Sequence, residues 1–301
     1  MAESGVSKAL RLGVLQMPSL RGSGWRIGLK AAARAKGWSV VKGADVPPTN
    51  DCPGHSMVIL LRDGAQALAM APSLDACVVI SDPLDEICLA VAALYPGKTI
   101  KAYAVAAERL AAAVTLVREG ACLVEGAAAE ADLPLIGRVF GNASIEVGSS
   151  AATLDPGPLD MFSGASTRGP EPGHKTNWPW DLFNFRTTPR SLVAPPEVDL
   201  TGRARVIFHG PRFSLPSGEW RIRLRFHLDP EDRESPLRFE WGGTDDFEHL
   251  ELQLKAAGLY EVELTKRWDR PVAAELRVWA AAAHFVGSFE FLHADVTYLA
   301  R

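Results

Sequence analysis

The segment RGSGWRIG places Gly22, Gly24 and Gly28 after an apolar strand pattern and at the opening of a helical one. Glycines at such a junction let backbone amides approach a phosphate, because no Cβ intervenes and a helix N-terminus is electropositive. The spacing is GxGxxxG rather than the dinucleotide-type GxGxxG, and it equally suits a βα loop that needs glycine for its own geometry. Three acids end apolar runs: Asp63 follows MVILL, Asp82 follows ACVVIS and Glu125 follows ACLV. Open α/β sheets bind ligands beyond such strand ends. Asp82 precedes Pro83 and is also placed to cap the next helix. In the last third, Trp241 and Trp268 fall at turn signals, where an aromatic face can be open to a ligand. Trp220 and Trp279 sit in alternating runs and are expected in the core.

A second group of charges raises a different possibility. In WRIRLRFHL, Arg221, Arg223, Arg225 and His227 alternate with Trp220, Ile222, Leu224, Phe226 and Leu228. Period-2 alternation means a strand with one buried face. Glu240, Glu251, Glu261 and Glu263 lie on or near the polar sides of their own strand patterns. The basic face is therefore expected to form a ladder of cross-strand charge pairs; the alternative is a basic strip that meets an acidic polysaccharide.

Composition narrows the function classes. A net charge of −4 and a pI near 6.0 argue against a nucleic-acid platform. No run of about 18 apolar residues occurs, so no membrane span is expected, and the opening MAESGVSKALRLGVLQ lacks the apolar core of a secretion signal. Cys52, Cys77, Cys88 and Cys122 form no CxxC pair. Reduced thiols and a cytoplasmic setting are expected. The seven histidines include no HxH or HExxH spacing, and neither a metal nor a cofactor is expected. There is no nucleophile elbow, no P-loop and no defensible Ser–His–Asp order, so enzymatic activity stays open.

These residues must be positioned by two kinds of structure. Residues 1–145 alternate strand and helix signals: strands at 12–16, 38–41, 57–61, 76–80, 99–103 and 121–124, and helices at 25–36, 65–71, 84–94 and 106–118. Gly37 is expected to end the first of these helices. Strands that are apolar throughout, joined by helices, predict a Rossmann-like parallel sheet covered on both faces. Residues 146–195 are rich in Gly, Pro and Ser and read as a linker. They also hold NWPWDLFNF, whose four aromatics predict that the linker is pinned onto one domain. Residues 196–301 contain eight short strand patterns separated by turn signals, which predicts a two-sheet sandwich.

Two resemblances add expectations. The segment REGACLVEGAAAEADLPLIGRVFG, residues 118–141, resembles the late part of one lobe of a B-type glycosyltransferase, and RGSGWRIG is loosely similar to the glycine loop of such enzymes. That resemblance implies a nucleotide-sugar site at Gly22, Gly24 and Glu130. The segments FHGPRFSLPSGEWRIRLRFHL, LQLKAAGLYEVEL, AAELRVW and FEFLHADVTYL together resemble jelly-roll carbohydrate-binding modules. This second likeness implies a jelly-roll β-sandwich with Trp241 and Trp268 as sugar-facing residues. The leading expectation is a carbohydrate-associated binding protein, accessory to surface-polysaccharide synthesis. The alternatives are a glycosyltransferase-like enzyme using a nucleotide sugar and a structural or assembly protein that uses the jelly roll for subunit contacts with a protein partner.

Overall fold

The computed structural model describes residues 9–19, 22–46, 56–125, 154–162, 169–186, 196–230 and 234–301. Two compact units emerge: Met1–Asp155 with Ala165–Arg168, and Pro156–Gly164 with Gly169–Arg301.

In the first unit, β1 (Arg11–Gln16), β2 (Ser39–Lys42), β3 (Met57–Leu61), β4 (Ala76–Ser81) and β5 (Cys122–Glu125) form one parallel sheet in the order β2-β3-β1-β4-β5. The central strands are apolar because both faces are covered: Val58, Ile59, Val78 and Val79 are fully buried. The helices are α1 (Gly22–Ala35), α2 (Gly64–Met70), α3 (Leu84–Leu94) and α4 (Thr99–Arg118). Gly37, at φ +68°, follows the end of α1 in the left-handed conformation that glycine adopts at low cost. Residues 99–103 are the first turn and more of α4, not a strand. Ala102, Tyr103, Ala106, Ala107 and Leu110 are buried at helical spacing, so the apolar face follows a 3.6-residue period and overrides the β-branched start. Among the described residues no helix is long and apolar enough to cross a membrane.

Cys77, Cys88 and Cys122 are free thiols, and Cys52 lies outside the described residues. Burial pushes Cys77 up to about 11, and burial with the nearby Asp85 and Asp155 charges pushes Cys88 up to about 12. Neither forms a thiolate near neutrality, so both act as small apolar groups.

The second unit is a jelly-roll β-sandwich. One sheet runs β13 (Gly258–Trp268), β10 (Gly218–Asp229), β15 (Ser288–Ala300), β6 (Lys175–Trp178), with β8 (Glu197–Asp199) also paired to β15. The other runs β12 (Asp246–Leu254), β11 (Ser235–Gly243), β14 (Val272–Ala280), β9 (Arg205–Leu215), β7 (Asn184–Phe185). The aromatic stretch at 177–185 is built into the sandwich rather than merely laid upon it. It supplies edge strands to both sheets, and Trp178 is fully buried, edge-on to Phe213 and Trp241. The Pro/Gly-rich composition around it hid these strands, each of which is only four residues or fewer.

The alternation of β10 is complete, with every apolar residue from Trp220 to Leu228 buried. Its basic face pairs with carboxylates in register: Arg223 lies opposite Glu263 and Arg225 opposite Glu261. Arg223 bonds Glu263 and also approaches Glu261, at 3.3 Å, while Arg221 reaches Glu263 at 3.3 Å. On the next strand Asp295 is buried and takes Lys175 at 2.7 Å. The ladder of paired charges is thus the observed state of this face. At one edge Lys266, on the inner side of β13, bonds Asp246 at 2.6 Å and joins the two sheets.

Candidate functional site

The opposite sheet, through β12, β11, β14 and β9, carries a denser cluster on its outer face. Cross-strand pairing arranges it in rows. The first is Phe247, Gly242, Glu275 and Pro211; the second His249, Glu240, Arg277 and His209; the third Glu251, Arg238 and Trp279. Directly paired residues of an antiparallel sheet point to the same side, so these side chains share one surface. The inner side of the same strands holds Leu237, Phe239, Trp241, Leu276 and Val278, all buried.

Glu275 is the centre. Its side chain is 3% exposed although it lies on the outer face. Oε1 accepts from His209 Nδ1 at 2.8 Å and from Arg212 Nε at 2.9 Å. Oε2 accepts from Arg277 Nε at 2.9 Å and is ion-paired with its Nη2 at 2.7 Å. A carboxylate only accepts, so this network assigns the His209 proton to Nδ1 and turns Nε2 away from the acid. Burial alone would raise the Glu275 pKa; the hydrogen bonds from Arg212, His209 and Arg277 outweigh it and hold the carboxyl below its ordinary value. An acid held ionised by these contacts is a poor general acid at neutral pH. Its role is to fix three cationic or polar groups in place.

The second row repeats the pattern. Glu240 is buried and takes Arg238 Nη2 at 2.7 Å, with Arg277 Nη1 at 3.8 Å. Arg277 therefore spans both acids, and its guanidinium carbon stands 4.0 Å from the centroid of the Phe247 ring. Trp279 is half-buried at the other end of the face, with no hydrogen-bond partner for its Nε1. Phe247 and Trp279 lie two rows apart, about 13 Å along the strands at ~3.3 Å per residue.

Arg212 arrives by an unusual backbone. It stands at φ +67°, in the left-handed region that a non-glycine side chain seldom enters, immediately after the bulged rung at Glu275. That conformation delivers Nε to Glu275 while the side chain stays 61% exposed. Such outliers persist where surrounding contacts over-determine them, commonly at binding sites.

The residues singled out in the sequence fall elsewhere. Trp241 is 0% exposed and Trp268 6% exposed; they pack edge-on at 5.6 Å between ring centroids. Both belong to the core and offer no ring face to a sugar, a correction to their expected role. The reason is local: WGG is not a turn but the end of β11, and the turn is Thr244 and Asp245, with Thr244 at φ +56°. Trp220 is buried as expected, whereas Trp279 is on the outer face. Its position was legible, because Trp279 has the same parity as Glu275 and Arg277 in β14. The placement of His209 and Arg212 beside Glu275 was not legible, since it depends on a bulge in the β9–β14 pairing.

In the first unit, Gly22 and Gly24 lie in the opening turn of α1 rather than in the preceding loop. Glu130 lies outside the described residues. Asp63 caps α2, accepting from Gln66 N at 2.8 Å. Asp82 does not cap α3: the cap position is Pro83, with no side-chain bond. Asp82 is 2% exposed and its Oδ1 has no hydrogen-bond partner. Among the described residues no three His, Cys, Asp or Glu side chains gather as a metal site.

No family model matches this sequence, and no curated protein matches it. Solved structures do. A family 35 carbohydrate binding module from Clostridium thermocellum matches with 10% identity, covering 41% of this chain and 97% of that one, at a TM-score of 0.28. The xylan-binding module CBM15 matches with 13% identity over 42% of this chain and 97% of that one, at 0.30. The glycosylation associate protein complex from Streptococcus agalactiae matches with 8% identity over 87% of this chain and 50% of that one, at 0.30. All three TM-scores lie below 0.5, and the chemistry of the site follows from its own geometry alone.

Proposed function

We propose that the protein binds carbohydrate on the outer face of the β12-β11-β14-β9-β7 sheet, as an accessory in surface-polysaccharide synthesis. The observation that carries this reading is the placement of a half-buried tryptophan, Trp279, on the same face as a pre-formed row of polar groups held in place by buried acids. An indole face suits the C–H side of a sugar ring, and fixed guanidinium donors beside the outward-turned, accepting Nε2 of His209 suit its hydroxyls. Because Glu275 and Glu240 already hold these side chains, little side-chain entropy is lost on binding. The test is calorimetric titration of the full chain with a panel of neutral and acidic oligosaccharides. Wild type binds at least one member, and Trp279→Ala weakens that binding by roughly 30-fold or more, an interface hot-spot effect. No binding by any member removes the reading.

A nucleotide-sugar enzyme is the competing reading. It is favoured by one observation in the first unit: α1 opens at Gly22 with no acid in its first turn, so no carboxylate of that turn offsets the positive end of the helix. With binding assigned to the sandwich, uridine and guanosine diphosphates at millimolar concentration leave the melting temperature of the full chain unchanged. A rise that disappears in Gly24→Val, where a branched side chain blocks approach to the amides, would install the nucleotide site instead.

A further inference from the structure

On the assumption that this face is a carbohydrate site, we infer that its ligand is an anionic saccharide, a sugar chain bearing carboxylate or sulfate groups, and that Arg212 is the residue that selects for the charge.

The argument rests on how charge is layered. The acids lie underneath: the Glu275 side chain is 3% exposed and that of Glu240 9%. The cations lie on top of them, with Arg277, Arg238 and Arg212 increasingly open to solvent. Within this cluster two buried carboxylates meet three guanidiniums, and what faces a ligand is the guanidinium layer. A further acid, Glu251, sits at the rim, 3.6 Å from Arg238 and well exposed. Opposite charges that are buried fix geometry; those that are exposed set what can approach.

Arg212 has the freest donors of the three. Arg277 spends Nε and Nη2 on Glu275, and its Nη1 leans toward Glu240. Arg238 directs Nη2 to Glu240 and Nη1 to Glu251. Arg212 is held by Nε alone. Its plane is fixed by that one bond, and its Nη1 and Nη2 edge is left to the solvent. A guanidinium held this way presents two parallel N–H groups, the geometry that accepts a carboxylate or sulfate in bidentate fashion. The left-handed backbone at Arg212 is what places this edge above Glu275. A neutral, hydroxyl-only chain cannot take up this fork with a bidentate, charge-assisted pair.

The probes are oligosaccharides of alginate, polygalacturonate, hyaluronate and chondroitin sulfate, each set against its carboxyl-reduced or desulfated counterpart, titrated into the full chain at low and at physiological salt. At least one charged form binds, about 10–100-fold tighter than its neutral counterpart, and the preference shrinks with salt. Arg212→Gln erases the preference, so that the charged form binds no tighter than its neutral counterpart; Arg212→Lys, which keeps the charge but loses the fork, retains only part of it. Thermal melting of both variants separates loss of selection from loss of fold. Equal affinity for charged and neutral forms overturns the inference and leaves the carbohydrate reading intact, as does binding of neutral xylan, galactan or mannan oligosaccharides alone. No binding by any oligosaccharide, charged or neutral, overturns both.

Discussion

Replacing Glu275 with glutamine destabilises the sandwich by about 3 kcal/mol, because removing one member of a buried ion-pair cluster leaves its partners uncompensated. The carboxylate receives three hydrogen bonds, from His209, Arg212 and Arg277, and a further ion-pair contact from Arg277. A carboxamide replaces one acceptor oxygen by a donor NH2 and sets it against a guanidinium or an imidazole N–H. The effect falls at the lower end of the usual ~3–5 kcal/mol range, since Arg212 is already mostly in water and Arg277 can lean on Glu240. At about 2–4 °C per kcal/mol for a unit of this size, the melting temperature drops by about 6–12 °C. Acid sensitivity changes as well. The folded-state pKa of Glu275 is depressed, so its contribution is fully present above the ordinary value of 4.5 and is lost as pH falls from there through the lower folded value. Wild type therefore loses stability over that acid window, and Glu275→Gln loses less. Equal melting temperatures and equal acid profiles for the two proteins would show that the cluster is a solvated surface network.

Trp241→Ala and Trp279→Ala separate core from site. Trp241 is fully buried between Trp178, at 6.0 Å, and Trp268, at 5.6 Å. Truncating a buried tryptophan removes its transfer free energy and leaves a cavity, together about 3–5 kcal/mol. Trp279 is half-buried on the outer face, and its truncation alters stability by about 1 kcal/mol or less. Chemical denaturation of the two variants reads this difference directly. A mild effect at Trp241 and a severe one at Trp279 would reverse the assignment of the two faces.

Much of the fold was legible because its signals are local. The apolar run at 57–61 and the helix at 84–94 appear at the residues where the pattern placed them. The alternation of β10 gave one buried and one basic face, and the basic face meets Glu261 and Glu263. Non-local pairing was harder to read. Residues 99–103 look like a strand in isolation, yet their apolar side continues the helical stripe of α4. Residues 177–185 look like decoration on a linker, yet Trp178 is fully buried in the sandwich core against Phe213 and Trp241. The site was the least legible part. A tryptophan next to glycines in WGG suggested an exposed turn, while the strand runs through it. Trp279 could have been placed by its parity with Glu275 and Arg277. The approach of Arg212 to Glu275 arises from a bulge and a left-handed residue, and no spacing in the sequence encodes either.

The central claim is that one particular face of the sandwich holds the sugar. Its most direct measurement is the affinity of the tightest oligosaccharide for two double variants, one on each face. Trp279→Ala with Phe247→Ala alters the outer side of β14 and β12. Arg223→Gln with Arg225→Gln alters the basic face of β10. The first pair loses the ligand while the second binds as wild type does. Loss of binding in the β10 pair, with the Trp279 pair unaffected, would move the site to the charge ladder on the other sheet and contradict the account.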